Sequence, residues 1–244
     1  MQRTKNNKYI PRVAVIIAAE LFVAITLIKM LWDKDYENFL TALITFLLIL
    51  LPEIIERIFH CDIHNMIYLY GVCYALGPMI GDCYKMYYRV NWWDKLLHIS
   101  GGVMFALFGL FIFSMYVNHA ETKRVLGALF ALCFTMAISL AWEFYEFGVD
   151  QIFHTDMQHD TVIHDIYSYE LSDEMGVIGS LENIEKVEIN GENLALGGYL
   201  DIGLIDTMKD MLFESLGGLI TVILYLLGKG KSCGFKRKEY KAIT

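Results

Sequence analysis

The chain has 244 residues, 56% of them hydrophobic, and a mean hydropathy of +0.42. Soluble domains rarely carry that much apolar residue, so the composition specifies an integral membrane protein. The formal charge of −8 argues against a nucleic-acid partner, because the only basic run is the C-terminal "GKGKSCGFKRKEYK".

A helix crossing a bilayer needs about 20 predominantly apolar residues. Six stretches qualify, at 10–31, 38–58, 63–84, 95–117, 125–149 and 205–227. The predicted fold is all-α, a polytopic bundle of six transmembrane helices with one inserted extracytoplasmic loop. The first stretch follows "MQRTKNNK", exceeds a signal-peptide apolar region in length and lacks a small-residue cleavage pattern. It reads as a retained helix. Pro52 and Pro78 fall inside apolar stretches and predict kinks, since neighbouring helices can satisfy the freed carbonyls. Trp32, Tyr36, Tyr87, Tyr88, Trp92 and Trp93 cluster at one predicted interface, as an aromatic belt does.

The division that follows is 1–154 for spans one to five, 155–204 for an acidic loop, and 205–244 for span six with a basic tail. The loop holds eleven carboxylates against Lys186 alone, so the acidity of the chain belongs to it. "TVIHDIYSYEL" and "KVEINGENLALGGYLDIG" alternate β-branched, aromatic and polar residues around Asn190-Gly191, a hairpin-turn pair. A small β-containing cap is expected there, with disorder across 170–185 as the alternative. Six spans place both termini on one side. Thirteen of the 20 lysines and arginines fall on that side, which is therefore cytoplasmic in a bacterial plasma membrane. Cys61, Cys73, Cys83, Cys133 and Cys233 show no CxxC spacing and read as packing residues.

Ionisable residues inside apolar helices are costly, by roughly 2.5–3.5 kcal/mol each on insertion scales. Three sets occur. Asp94 and His98 stand four apart in "WWDKLLHISGG". Glu143, Glu146 and Asp150 follow an i, i+3, i+7 spacing, and Asp206, Asp210 and Glu214 recur every four residues. Each set lies on one helix face, and the predicted topology brings all three, with Asp82, to the outer side. Gly101-Gly102 and Gly217-Gly218 follow His98 and Glu214 by equal intervals and predict close helix packing beneath the polar groups.

So many carboxylates together require protons or a cation. Carboxylate oxygen with imidazole suits Zn, Mn, Fe or Mg. The expected metal ligands are Asp94, His98, Asp206, Asp210 and Glu214, with Glu143 or Glu146 as the catalytic base. His154, His159 and His164 in the loop are spare imidazoles.

"WWDKLLHISGG", "WEFYEF" and "GLIDTMKDMLFESLGGLI" resemble bacterial multi-spanning proteins of the YjdF-like type. They are more distantly similar to VanZ-like proteins, which share an Asp-Lys-x-x-His helix start, an acidic helix end and an Asp-x-x-x-Asn-x-x-Gly helix. The likeness covers about 90–150 and 197–225. By position it marks Asp94, Lys95, His98, Glu143, Glu146, Asp206, Asp210 and Gly217, with Glu214 where the VanZ-like pattern has Asn. It implies a cell-envelope role and supplies no reaction.

Three function classes follow. One is a metal-dependent enzyme acting on lipid or lipid-linked phosphate, for which Lys95 and Lys209 are the nearby cations. Another is a cation or proton transporter, whose only mid-membrane carboxylate outside the sets is Glu20. The last is an envelope scaffold in which protonated carboxylates hold helices together.

Overall fold

Every long apolar stretch of the chain folds as helix, and the face it exposes is apolar. On the first helix Val13, Ile17, Leu21, Ile25 and Ile28 lie outward, while Ala19, Val23, Thr26 and Met30 are buried. Thr26 meets the Tyr84 hydroxyl at 2.8 Å. Leucine and isoleucine outside with bonded polar groups inside inverts the ordering of a water-soluble protein and is what hydrocarbon solvent selects.

The computed structural model describes residues 2–116, 121–228 and 235–237. The helices are α1 (Gln2–Asp33), α2 (Tyr36–Leu48), α3 (Leu51–Ile58), α4 (Asn65–Cys83), α5 (Met86–Arg89), α6 (Trp93–Tyr116), α7 (Glu121–Phe153) and α8 (Leu204–Leu227). Short strands β1 (Cys61–Ile63), β2 (Val162–Ile163), β3 (Ile166–Ser168), β4 (Gly179–Leu181), β5 (Glu188–Ile189), β6 (Glu192–Asn193), β7 (Tyr199–Leu200) and β8 (Phe235–Arg237) punctuate them. The tail residues Lys229, Lys231, Lys238 and Lys241, counted toward orientation, and Cys233 lie outside the described residues.

Among the described residues, five helical stretches are long and apolar enough to cross a membrane: Arg12–Asp33, Asn38–Ile58, Trp93–Tyr116, Arg124–Phe153 and Leu204–Leu227. The expected third span, α4, is not one of them. The second span is interrupted at Pro52, where a kink was expected: α2 ends at Leu48 and α3 begins at Leu51 with Pro52 in its first turn, while Ile49 and Leu50 between them keep right-handed helical backbone. Proline is at ease there, because the amide it lacks would have no intrahelical partner. Pro78 does stay inside its helix.

Two compact units result, Met1–Ile138 with Phe213–Thr244, and Ser139–Leu212. In the first, Arg12 is buried and tied to the junction between α3 and α4. Its guanidinium donates to Glu56 Oε1 at 2.9 Å, to Asn65 Oδ1 at 2.9 Å and to the Ile63 carbonyl, and lies 4.4 Å from the centre of the Tyr68 ring. Beside it β1 pairs antiparallel with β8, matching Cys61 to Arg237 and Ile63 to Phe235. Arg12 is therefore a neutralised internal group. Arg124 donates to the Tyr225 and Leu226 carbonyls and closes the C-terminal end of α8.

The second unit is the acidic insertion with its flanking helix ends. β2 pairs with β7, β3 with β4, and β5 with β6, all antiparallel. Asn190 and Gly191 both take positive φ between β5 and β6, the backbone a two-residue hairpin demands. Residues 170–185, where disorder was the alternative, include a 3₁₀ turn at Tyr169–Leu171 and the strand β4. Asp201 closes the base of the insertion, accepting from Thr161 N at 2.9 Å and from Ile205 N at 2.7 Å at the start of α8.

Candidate functional site

In the first unit the site grows from the contact of α6 with α8. A methyl group at Gly102 would collide with the Glu214 carbonyl, and one at Gly217 with the Ile99 carbonyl. Only glycine permits backbones this close, so the paired glycines set the separation of the two helices. One turn before Gly102 on α6, His98 is buried with Nε2 3.4 Å from Asp94 Oδ1 and Nδ1 3.7 Å from Glu214 Oε2. Lys95 Nζ lies 2.6 Å from the other oxygen of Asp94.

Both ring nitrogens of His98 thus face carboxylates. A neutral imidazole has one donor and one acceptor nitrogen, and cannot satisfy two anions. Three arrangements balance it: protons on both nitrogens of His98, a proton on one of the two carboxyls, or a cation that takes one nitrogen together with carboxylate oxygens. Oxygen and imidazole donors of this kind suit a divalent transition metal or Mg.

The second unit holds the other expected site residues. Glu143 and Glu146 are buried on α7, and Glu146 accepts the Trp142 indole N–H at 2.7 Å. Asp206 and Asp210 are buried on α8, and His159 Nδ1 lies 3.8 Å from Asp206 Oδ2. Asp150, third of its stripe in the sequence, has a structural task. It accepts from Thr155 Oγ1, Met157 N and Gln158 N at 2.7, 2.7 and 3.0 Å, fastening the chain that leaves α7. His164 meets the Ile184 carbonyl at 3.1 Å, a loop contact away from any carboxylate set.

Outside the helices one carboxyl is displaced from its ordinary range. Burial, and then the carboxylates of Asp156, Asp201 and Asp150, raise the pKa of Asp160, while a hydrogen bond from the Gly203 backbone opposes them.

Tyr74 escaped the sequence reading. Its hydroxyl comes up to Gly101 from α4, near Glu214. A tyrosine on an apolar helix gives no signal of its own; only the packing of α4 on α6 reveals it.

No curated protein and no solved structure matches the chain. Comparison with protein families matches residues 14–230 to the family described as "Predicted membrane protein (DUF2238)". The YjdF-like likeness is consistent with that family. Since the match takes in nearly the whole sequence, including every apolar helix and the insertion, the chain belongs to this family of membrane proteins.

Proposed function

We propose that the protein binds a divalent cation at His98 with a flanking carboxylate, Asp94 or Glu214, and acts as a metal-dependent enzyme on lipid or lipid-linked phosphate in the bacterial cell envelope. The observation that carries this reading is the imidazole of His98 held between two carboxylates on two helices. Asp210 and Asp206, the other ligands expected from the sequence, stand one and two turns before Glu214 along α8. The base in this reading is Glu143 or Glu146, buried on α7. When bound, the ion supplies Lewis acidity toward a phosphoryl oxygen. Lys95, next to Asp94, is the cation placed to meet a phosphate group. The more distant VanZ-like likeness rests on the quoted residues alone and adds only the envelope context.

Six spans fit the pairing of β1 with β8. The α3–α4 junction and the segment after α8 lie side by side, so an even number of crossings must separate them. Between them stand α6, α7 and α8, which are apolar enough to cross, and α4, which supplies the fourth. The excess of lysine and arginine on that side assigns it, with both termini, to the cytoplasm. Asp94 and His98, near the opposite end of the α4–α6 hairpin, then face the outer leaflet.

Elemental analysis of the purified protein tests the metal. Near-stoichiometric metal is expected in the wild type, with loss in His98→Ala and Glu214→Gln. Phosphate release from lipid substrates that disappears in Asp210→Ala, with folding retained, tests the reaction. Metal-free wild-type protein would favour the scaffold reading, in which protonated carboxylates hold the helices together.

Transport is the second reading, and one observation favours it. Both carboxylate oxygens of Glu20, inside the first apolar helix, are enclosed without a hydrogen-bond partner among the described residues. Proton or cation flux in proteoliposomes that is lost in Glu20→Gln would establish it.

A further inference from the structure

Glu20 lies on α1 at the edge between two surfaces. Ile17 and Leu21 beside it face outward, whereas Ala19 and Val23 are buried in the helix packing. The carboxyl is turned inward: both of its oxygens are enclosed, and neither has a hydrogen-bond partner among the described residues.

Its surroundings are set by α2 and α4, the helices packed on α1. Arg12 meets Asn65 at the start of α4 at 2.9 Å, and Thr26 meets Tyr84 just past its end at 2.8 Å. The two helices therefore run side by side in the same direction, and Glu20 stands level with the middle of α4. There Val72 and Leu76 join Ala19 and Val23 in one apolar cluster. The titratable residues in that stretch are Cys73, which is exposed, and Tyr74, whose ring packs on Phe105 of α6. On α2, Tyr36 and Glu37 stand in the first turn, and no ionisable residue follows before Leu48. On α1 itself the basic residues of the apolar stretch are engaged elsewhere, Arg12 with Glu56 at 2.9 Å and Lys29 with Asp33 at 3.3 Å.

An ionised carboxylate placed there has neither water nor a counter-charge, so the neutral acid is the favoured form. A metal ion is a poor alternative. Magnesium or calcium needs about six oxygen ligands. The Thr26 hydroxyl is committed to Phe22 and Tyr84, and the Thr45 hydroxyl to the Thr41 carbonyl. A proton needs only one carboxyl oxygen.

We infer that Glu20 is a proton-binding site, a carboxylic acid that is neutral at neutral pH, and that the ion of the transport reading is the proton. Proton binding stands by itself; movement of the proton across the membrane rests on that reading.

Dicyclohexylcarbodiimide, which partitions into lipid and reacts with protonated carboxyls, is the probe, applied to the full-length protein in liposomes at neutral pH. The carboxyl proton passes to one reagent nitrogen and the carboxyl oxygen bonds to the central carbon. An oxygen-to-nitrogen acyl shift then leaves a stable N-acylurea, with no leaving group. Mass spectrometry should find Glu20 modified, while Glu53, at the surface and paired with Arg57 at 3.0 Å, stays unmodified. Neither Na⁺ nor Mn²⁺ should protect Glu20. Infrared spectra should show a protonated-carboxyl band that Glu20→Gln removes. If the reagent does not reach the carboxyl, that band decides: its absence from the wild type at neutral pH overturns the inference. Protection by either cation also overturns it, by making the site one for metal. A modified Glu20 in vesicles that show no proton flux leaves the proton site standing and sinks the transport reading.

Discussion

His98 on α6 faces Glu214 on α8, Nδ1 to Oε2 at 3.7 Å, across a helix contact whose closest points are glycines. Charge chemistry and backbone packing are therefore coupled at this point. Moving the helices apart would separate the imidazole from its second carboxylate. Substituting Glu214 with Gln keeps the shape and removes the charge. We expect that change to lower divalent-metal affinity by at least the 10–100-fold typical of losing an outer partner of a metal ligand. Isothermal titration with Mn²⁺ or Zn²⁺ measures it; unchanged affinity would remove Glu214 from the ligand set.

Gly102→Ala tests the packing itself. Its methyl group would meet the Glu214 carbonyl, a backbone atom that cannot swing aside. A destabilisation of about 1–3 kcal/mol is expected, as for other overpacked positions. Gly148→Ala on α7 is the control, since nothing lies within 4 Å of an added Cβ there. It should gain about 0.5–1 kcal/mol from helix propensity. Thermal unfolding in detergent compares the two.

The Arg12–Glu56 pair is buried on both sides, so removing one partner strands the other's charge. Arg12→Met should cost about 3–5 kcal/mol, and adding Glu56→Leu should restore much of the loss. A double-mutant cycle on unfolding temperature reads the coupling. Additive effects would contradict it.

Arg237 is the register partner of Cys61 across β1 and β8. Paired residues of adjacent strands lie within disulfide reach, so Arg237→Cys should cross-link to native Cys61 under mild oxidation. The bond should vanish when Cys61→Ser is added. No cross-link would refute the pairing and, with it, the even number of crossings inferred between α4 and α8.

Asp160 supplies a pH test in the insertion. Its pKa is raised in the fold by burial and by neighbouring carboxylates, Asp156 first among them. The folded state therefore binds this proton more tightly than the unfolded chain does. The resulting stabilisation is full below the ordinary aspartate range and is lost as pH rises through the elevated folded value. Hydrogen-exchange protection across 155–165, taken relative to the intrinsic exchange rate at each pH, should fall between acidic and neutral pH. Asp160→Asn should flatten that dependence. An unchanged profile would mean that another group controls it.

Much of the helical architecture was legible because it follows from solvent. Leucine and isoleucine at Val13-to-Ile28 spacing on α1, or along α8, face lipid whatever the neighbouring helices do. Local turn chemistry was legible for a similar reason, as at Asn190-Gly191, where both residues tolerate positive φ. The interruption at Pro52 was legible because proline lacks the amide that would continue the helix, while the helix ends at Leu48 and Leu51 were not. The pairing of Arg12 with Glu56 was not legible, because the two stand 44 residues apart and meet only when the helices pack.

Sequence alone determined that this protein is a membrane-embedded helical chain with carboxylates and His98 at helical spacing, because periodicity and hydropathy are properties of one segment at a time. Tertiary structure decided which of those groups share charge and which only hold the chain. Asp150 turned out to fasten its own loop, while Glu214 meets His98 across the α6–α8 contact. Such outcomes depend on which helix faces pack together, and glycines at the α6–α8 contact settle that through backbone approach, which spacing along a single helix does not encode.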